Sequence, residues 1–397
     1  MAGWPYPYIM IDLCLIFGGT SSEHEVSLRS VTSVIKNVDR EKYNLILLGI
    51  TKSGRWLMYS GPAELIESGR WQSGLYTRPA VISPDRSHKG LLLLPYDEPE
   101  IPSQRLRNKI IADMRQSKAG YAENLASGLD IFGQEPSFVN IDVVFPVLHG
   151  KYGEDGTVQG LLELAGIRYV GCKVLSSAAC MDKETTHIML ENAGINMAKT
   201  VTIKKADAEN MADAEKLLAD KLGYPMFVKP ANAGSSVGIT KVKSAEGLAA
   251  AFDTAFEHDE KIIVEQMVEG KEVECAVMGN NNPIASDALG EISSQNEFYD
   301  YNGKYIDDST TLYIPARISE DIAQRVRETA LKAYKTMGCT GLSRVDFFVK
   351  DDGEIVLNEI NTLPGFTSIS MYSKMFEASG VPYSQIVDAL IGYALEK

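Results

Sequence analysis

Residues 343–361 read SRVDFFVKDDGEIVLNEIN, two runs of β-prone residues on either side of Asp352-Gly353. An Asp-Gly pair between such runs is among the strongest short-range signals for an antiparallel hairpin. With those two residues as the loop, Asp351 falls opposite Glu354, Asp346 opposite Glu359, and Arg344 opposite Asn361. Side chains alternate along a strand, so these outer four polar groups share one face. Val345, Phe347, Val349, Val356 and Ile360 then point the other way, into a core. Two facing carboxylates repel unless something neutralises them, and hard oxygen donors of this kind suit Mg²⁺. A solvent-exposed hairpin with hydrated charges is the other reading of the same residues.

The segments upstream of the hairpin have a different character. Ile11–Phe17 is a short apolar run that leads into Gly18-Gly19 and then a helical pattern from about Ser27 to Val38. Strand, glycine turn and helix begin a parallel α/β layer. Leu45–Ile50, Ile141–Val147 and Ile167–Val170 read as further strands. A boundary is expected near Gly171-Cys172, and a second α/β block then runs to the strand at Ile262–Val264. The last block holds the hairpin, a polar loop and a helix from about Tyr383. The predicted fold class is therefore mixed α/β and α+β in three domains, at 1–171, 172–265 and 266–397. Residues 85–137, polar and bounded by proline, read as an insertion, with a helical stretch from about Gln104 to Ser127 that serves surface packing or a dimer contact. The first nine residues read as a leader or an appended remnant.

Within the second block, the strand Met226–Lys229 precedes Pro230 and ANAGSSVGI. Gly234, Ser235, Ser236 and Gly238 make a small-residue loop whose backbone N–H groups can surround phosphate oxygens. The spacing of a P-loop is missing, and ordinary tight turns use the same residues. A lysine at the end of the strand, Lys229, adds a point charge for a phosphate. Lys183, in CMDKE, is a second candidate of the same kind.

A chain of 397 residues exceeds what one core usually covers. The net charge of −14 opposes a nucleic-acid backbone or an anionic membrane as partner and favours small molecules. Five scattered cysteines include no C-x-x-C pair, which suits a reducing cytoplasm and indicates neither a disulfide framework nor a zinc site. No apolar run reaches the length of a membrane span.

Together, GGTSSEHEVS, LHGKYGEDGTVQG, KPANAGSSVGI, FYDYNGKY, SRVDFF and NEINTLPGFTS resemble, in order, the motifs of the D-alanine–D-alanine ligases. The resemblance runs from about Ile11 to the C-terminus. It implies an ATP-grasp fold with an N-terminal Rossmann-like domain. It also implies a two-step reaction, in which ATP phosphorylates the first D-alanine carboxylate and the second D-alanine's amine displaces the phosphate. The group also contains ligases that make D-alanyl-D-lactate or D-alanyl-D-serine.

Carried over motif by motif, the resemblance implies a set of roles. Asp346, Glu359 and Asn361 would hold two Mg²⁺ ions, with Mn²⁺ a possible substitute, on the ATP phosphates. Lys183, Lys229 and Lys304 would contact phosphates, with Glu265 facing the adenine and Glu272 the ribose. Glu23 would receive the first ammonium, bridged to Ser235 and Tyr305, with His149 near the first carboxylate. Arg344 and the backbone of Gly365 would stabilise the oxyanion. Ser370 would bind the second carboxylate. Glu154 and Asp155 are given a structural turn role. Tyr305 in FYDYNGKY matches the peptide-forming pattern, whereas lactate-forming ligases carry a histidine in that loop. Met371 stands where serine-type ligases usually have arginine, and Ile369 departs from a frequent histidine. The expected product is D-alanyl-D-alanine for the cell wall. A D-alanine–D-serine ligase or another ATP-grasp carboxylate–amine ligase is the alternative. A cytoplasmic homodimer with D-amino acids and ATP as its small-molecule partners completes the expectation.

Overall fold

Ile11–Gly18 (β1) is apolar at nearly every position and buried from Leu13 to Gly18. Such a run belongs in the middle of a parallel sheet covered on both sides. In the computed structural model, which describes residues 10–72, 76–95, 136–208, 211–294 and 310–396, β1 does pair in parallel with Tyr43–Ile50 (β2) and Val143–Val147 (β7). His24–Asn37 (α1) crosses between β1 and β2. The sheet continues through short antiparallel strands: Trp56–Tyr59 (β3), Thr77–Ile82 (β4), Gly90–Leu93 (β5) and Ser137–Asn140 (β6). Ala63–Glu67 (α2) lies between β3 and β4, and Thr157–Ala165 (α3) leads to Arg168–Tyr169 (β8). The order is β6-β5-β4-β3-β2-β1-β7-β8. The expected insertion thus begins and ends inside the sheet, since β5 and β6 pair across it. Residues 96–135, with the helix predicted there, and residues 1–9 lie outside the described residues.

Val174–Met181 (α4) and Lys183–Asn192 (α5) follow. A second, antiparallel sheet is then made by Thr200–Lys204 (β9), Met226–Pro230 (β10), Thr240–Val242 (β11) and Lys261–Gln266 (β12), in the order β11-β10-β12-β9. Met211–Lys221 (α6) and Leu248–Phe256 (α7) cover one face, with Leu218, Ala251 and Phe252 packed on Met226, Val228 and Val264.

The third sheet is built around Lys271–Gly279 (β13), with Ile284–Ala285 (β14), Gly290–Ser294 (β15), Thr310–Tyr313 (β16), Gly341–Val349 (β17) and Ile355–Asn361 (β18). Glu320–Thr336 (α8) starts at a Ser319 cap, whose side chain accepts from the Ile322 N–H, and buries Val326, Ala330 and Tyr334 on one face of this sheet. That core also takes in Cys180, Leu190 and Met197 from α4, α5 and the chain beyond. The last helices, Met371–Ala378 (α9) and Tyr383–Leu395 (α10), place Tyr372, Phe376, Leu390 and Ile391 in the core of the first sheet. Cores and sequence intervals therefore do not coincide: 172–197 packs with the third sheet, and 371–395 with the first.

The hairpin β17–β18 differs from its expected form in two places. The Gly353 N–H donates to the Lys350 carbonyl and the Lys350 N–H to the Glu354 carbonyl, each at 2.9 Å. The loop is therefore three residues, Asp351–Gly353, with Gly353 at φ +82°, the left-handed position such loops give to glycine. This shifts the pairing by one, so Val349 meets Ile355 and Phe347 meets Leu357. A bulge at Asn358 then restores it: Asp346 faces Glu359 and Arg344 faces Asn361, as expected. Ile355 and Leu357 take the core positions with Val345, Phe347, Val349 and Ile360. Val356 instead shares a face with Phe348, which corrects its assignment to that core.

Candidate active site

One face of the third sheet changes character along its strands. On β13, Ala276 and Met278 join the first core, while Glu272 and Glu274 line a cavity of about 390 Å³. On β17, Leu342 is in that core and Arg344 and Asp346 line the cavity; on β18 Asn358, Glu359 and Asn361 line it. Glu274 lies directly opposite Asp346. It was not among the expected site residues, although the alternation KEVECAV shows both Glu272 and Glu274 on one face.

Arg344 ties these acids together. Its Nε and one terminal nitrogen donate to the two Asp346 oxygens, each at 2.7 Å. Its Nε also stands 3.2 Å from Glu274 Oε1. Burial alone would lower its pKa, but Asp346 and Glu274 hold the guanidinium well above its ordinary value. Asn361 Nδ2 donates to Asp346 Oδ2 at 2.9 Å and reaches Glu359 Oε1 at 3.5 Å. Asp346, Glu359 and Asn361 thus converge as two carboxylates and one amide, all hard oxygen donors. Among the described residues no three His, Cys, Asp or Glu side chains form a complete metal site by themselves. This donor set fits Mg²⁺, which takes one or two carboxylates and completes its shell with phosphate oxygens and water.

The opposite wall comes from the first sheet. The Ser27 hydroxyl accepts from the Gly18 N–H at 2.7 Å and donates to the Val147 carbonyl, fixing the start of α1 to β1 and β7. His24 is buried and bonds the Gly19 carbonyl through Nδ1 at 2.7 Å, a structural contact. Glu23, at the helix N-cap, makes no side-chain cap bond, and it lines the cavity. A Cβ on Gly150 would stand 2.9 Å from Glu23 Oε2, and Gly150 has φ +73°, so glycine is required there.

His149 lines the same cavity, with Nε2 3.1 Å from Ser30 Oγ and Nδ1 3.0 Å from the Leu363 carbonyl. Burial pushes its pKa down, which favours the neutral imidazole. Glu154 also lines the cavity, besides closing its turn by accepting from the Gly150 N–H at 2.9 Å. Burial, reinforced by the nearby Glu23 charge, pushes Glu154 up to about 8, so it is protonated at neutral pH. The turn role alone does not describe this residue.

Ser235, Gly365, Ser370 and Met371 complete the cavity. Ser235 and Ser236 have φ +52° and +58°, conformations that cost a non-glycine residue about 1–2 kcal/mol each and that concentrate at ligand sites. Ser370 Oγ accepts from the Thr367 N–H at 3.0 Å and pairs with the Thr367 hydroxyl at 2.8 Å. Of the expected site residues, Glu23, His149, Ser235, Glu272, Arg344, Asp346, Glu359, Asn361, Gly365, Ser370 and Met371 are brought together here.

Lys229 and Glu265 on the second sheet and Lys183 at the start of α5 form a neighbouring group. Lys183 Nζ donates to the Ala233 carbonyl, at the edge of the small-residue loop, at 2.6 Å. Lys229 Nζ donates to Glu265 Oε1 at 2.8 Å, and His187 Nε2 is 3.8 Å from the other Glu265 oxygen. Burial would raise the Glu265 pKa, yet Lys229 and His187 bring it down to about 2. His187 was not legible as part of this group, because its partner is distant in sequence. Lys304 and Tyr305 lie outside the described residues.

A three-sheet architecture with an acidic face on the third sheet, turned toward the first, is that of the ATP-grasp ligases. The chain matches the family described as D-ala D-ala ligase N-terminus over residues 12–172 and D-ala D-ala ligase C-terminus over residues 189–392. It is 45% identical over 389 residues to the D-alanine–D-alanine ligase of Ruminiclostridium cellulolyticum, covering 97% of this chain and 95% of that protein. It is 41% identical over 384 residues to D-alanine–D-alanine ligase A of Escherichia coli, covering 96% and 95%. Among solved structures it is similar to the VanG D-Ala:D-Ser ligase of Enterococcus faecalis, with TM-score 0.80, 41% identity and coverage of 97% and 100%. The D-alanine–D-alanine ligase of Coxiella burnetii gives TM-score 0.73 and 32% identity, with coverage of 97% and 95%. The chain belongs to the D-alanine–D-alanine ligase family. No helix among the described residues is long and apolar enough to cross a membrane.

Proposed function

We propose that this chain, an ATP-dependent ligase, joins two D-alanines to D-alanyl-D-alanine through an acyl phosphate, using the cavity between the first and third sheets. The observation that carries the reading is the convergence of Asp346, Glu359, Asn361 and Arg344 with Glu23 in one cavity. A carboxylate oxygen of the first D-alanine attacks the γ-phosphorus of ATP and ADP leaves. The ammonium of the second D-alanine first gives one proton to solvent; its nitrogen then attacks the acyl carbon, the bond to the phosphate oxygen breaks, and the second nitrogen proton leaves with the departing phosphate.

Attack of a carboxylate on a triphosphate brings negative charges together, so neutralisation is the main requirement. Mg²⁺ held by Asp346, Glu359 and Asn361 would supply that charge, and Lys183 and Lys229 would add theirs beside the small-residue loop. Glu272 is suited to the ribose and Glu265 to the adenine, and Glu265 also holds the Lys229 ammonium that serves the phosphates. Glu23 would take the first ammonium, with Ser235 and Tyr305 beside it, and the neutral His149 lies near the first carboxylate. Arg344 and the Gly365 backbone would stabilise the tetrahedral oxyanion. Lys304 would add a further charge to the phosphates.

For the second substrate, Met371 is buried at the start of α9 and lines the cavity beside Ser370. An apolar group there suits a methyl side chain and offers nothing to a serine hydroxyl. Such pockets reject an added hydroxyl by only about 10². With D-alanine, D-serine and D-lactate in equal competition, D-alanyl-D-alanine is the expected main product by mass. A product dominated by D-serine would favour the VanG-like reading and overturn the Met371 argument. Domain boundaries near 171 and 265, a homodimer and a cytoplasmic location belong to the same proposal.

A further inference from the structure

We infer that Cys180 and Cys339 are a redox-sensitive pair, whose thiols hydrogen peroxide converts into a disulfide pinning α4 to the start of β17. Their sulfurs are 4.0 Å apart in the core of the third sheet, although 159 positions separate them in sequence. Neither lines the cavity. The contacts around them hold the two segments together. Ser176 and Cys180, one turn apart on α4, face the same stretch of chain, and Ser176 Oγ donates to the Gly338 carbonyl at 2.6 Å, next to Cys339. Thr340 Oγ1 donates to the Gly171 carbonyl at 3.1 Å. A Cβ on Gly341, at φ +75°, would stand 2.9 Å from the Gly171 nitrogen, so the backbones themselves are in close approach. Cys172 also neighbours Cys339, but its thiol is directed to the Thr340 and Leu342 carbonyls at 3.5 and 3.7 Å. Cys14 lies in the core of the first sheet.

Cys180 is the least buried of the three neighbouring thiols, 8% exposed against 4% for Cys339 and 1% for Cys172, so it meets a small oxidant first. Its thiol takes up one peroxide oxygen as a sulfenic acid, and water is released. The Cys339 sulfur then attacks the Cys180 sulfur, the S–O bond breaks, and the hydroxyl leaves with the Cys339 proton as a second water. Two thiols and one hydrogen peroxide thus give one disulfide and two waters. Burial slows the first step, while contact between the sulfurs favours the second over further oxidation. The consequence falls on the ATP site, and this part rests on the ligase reading above. An S–S bond is about 2.05 Å long, so closing it draws the end of α4 about 2 Å toward β17. Thr186 Oγ1 donates to the Ala179 carbonyl at 2.8 Å and reaches that of Cys180 at 3.4 Å, which carries the shift to the first turn of α5 and its Lys183.

The test treats the purified wild-type protein with hydrogen peroxide, quenches it with catalase, then denatures, alkylates and digests it without reduction for peptide mapping by mass spectrometry. A linked Cys180–Cys339 peptide is expected, with Cys14 and Cys275 alkylated, and dithiothreitol should abolish the link. D-Alanine-dependent ADP release should fall at least about tenfold on oxidation, since a displacement of about 1 Å at a positioned group costs up to about 10² in rate. It should return with dithiothreitol. Cys339→Ala should match the reduced wild type in turnover and be insensitive to the same treatment. Alkylated Cys180 and Cys339 after oxidation, a Cys172–Cys339 link, or sulfinic acid at Cys180 would overturn the pairing. A disulfide formed with undiminished ADP release would overturn its reach to Lys183. A reduced wild type that releases no ADP in response to D-alanine would overturn the ligase reading, while the linked peptide would still decide the pairing.

Discussion

Glu359→Gln is expected to fold with an unchanged melting temperature and to lose at least about a thousandfold in kcat, since metal charge stabilisation contributes several kcal/mol to such a transition state. Glu359 lies opposite Asp346 on the adjacent strand, with its Oε1 3.5 Å from Asn361 Nδ2. The amide keeps the shape of the side chain and removes its charge. Its effect should therefore fall on Mg²⁺ and ATP rather than on the sheet. Titration of Mg²⁺ with ATP present should show weakened metal dependence in the variant. Turnover within tenfold of the wild type at ordinary Mg²⁺ would remove Glu359 from the metal site.

Arg344→Leu should lower kcat by about 10²–10³, the usual effect of removing a donor aimed at a developing oxyanion. A stability loss should accompany it. Arg344 compensates Asp346 and Glu274, both buried, and breaking a buried ion pair by removing one partner costs about 3–5 kcal/mol. Arg344→Lys separates the two effects. A lysine keeps the charge that the acids need but cannot reproduce the paired bonds at 2.7 Å. Its melting temperature should recover most of the loss, while kcat stays well below the wild type. Wild-type kcat in Arg344→Lys would show that only the charge, and not the fork geometry, serves the reaction.

Local alternation made much of this site legible. β1 and β2 are continuous apolar runs, and Arg344, Asp346, Glu359 and Asn361 follow a two-residue period on either side of a turn signal. The expected register was right at these four residues for a reason the sequence did not show. The loop is one residue longer than Asp352-Gly353, and the bulge at Asn358 compensates for it. A bulge depends on how a strand must bend against its partners, so no local pattern announces it.

Other features were hidden for the same kind of reason. β5 and β6 are four residues each and pair across a long intervening segment. The placement of α9 and α10 against the first sheet depends on contacts between residues hundreds of positions apart, such as Asp388 with Tyr43 at 2.7 Å. Glu274 could have been read from the period of its own strand. The burial and the neighbouring Glu23 charge that bring Glu154 up to about 8 could not.

The most direct test of the account follows oxygen rather than a variant. D-Alanine labelled with oxygen-18 in its carboxylate is incubated with the purified protein, ATP and Mg²⁺, and both products are weighed by mass spectrometry. The account predicts D-alanyl-D-alanine, with one labelled oxygen delivered to inorganic phosphate for each peptide formed. Unlabelled phosphate, or no D-alanine-dependent phosphate from folded protein, would contradict it.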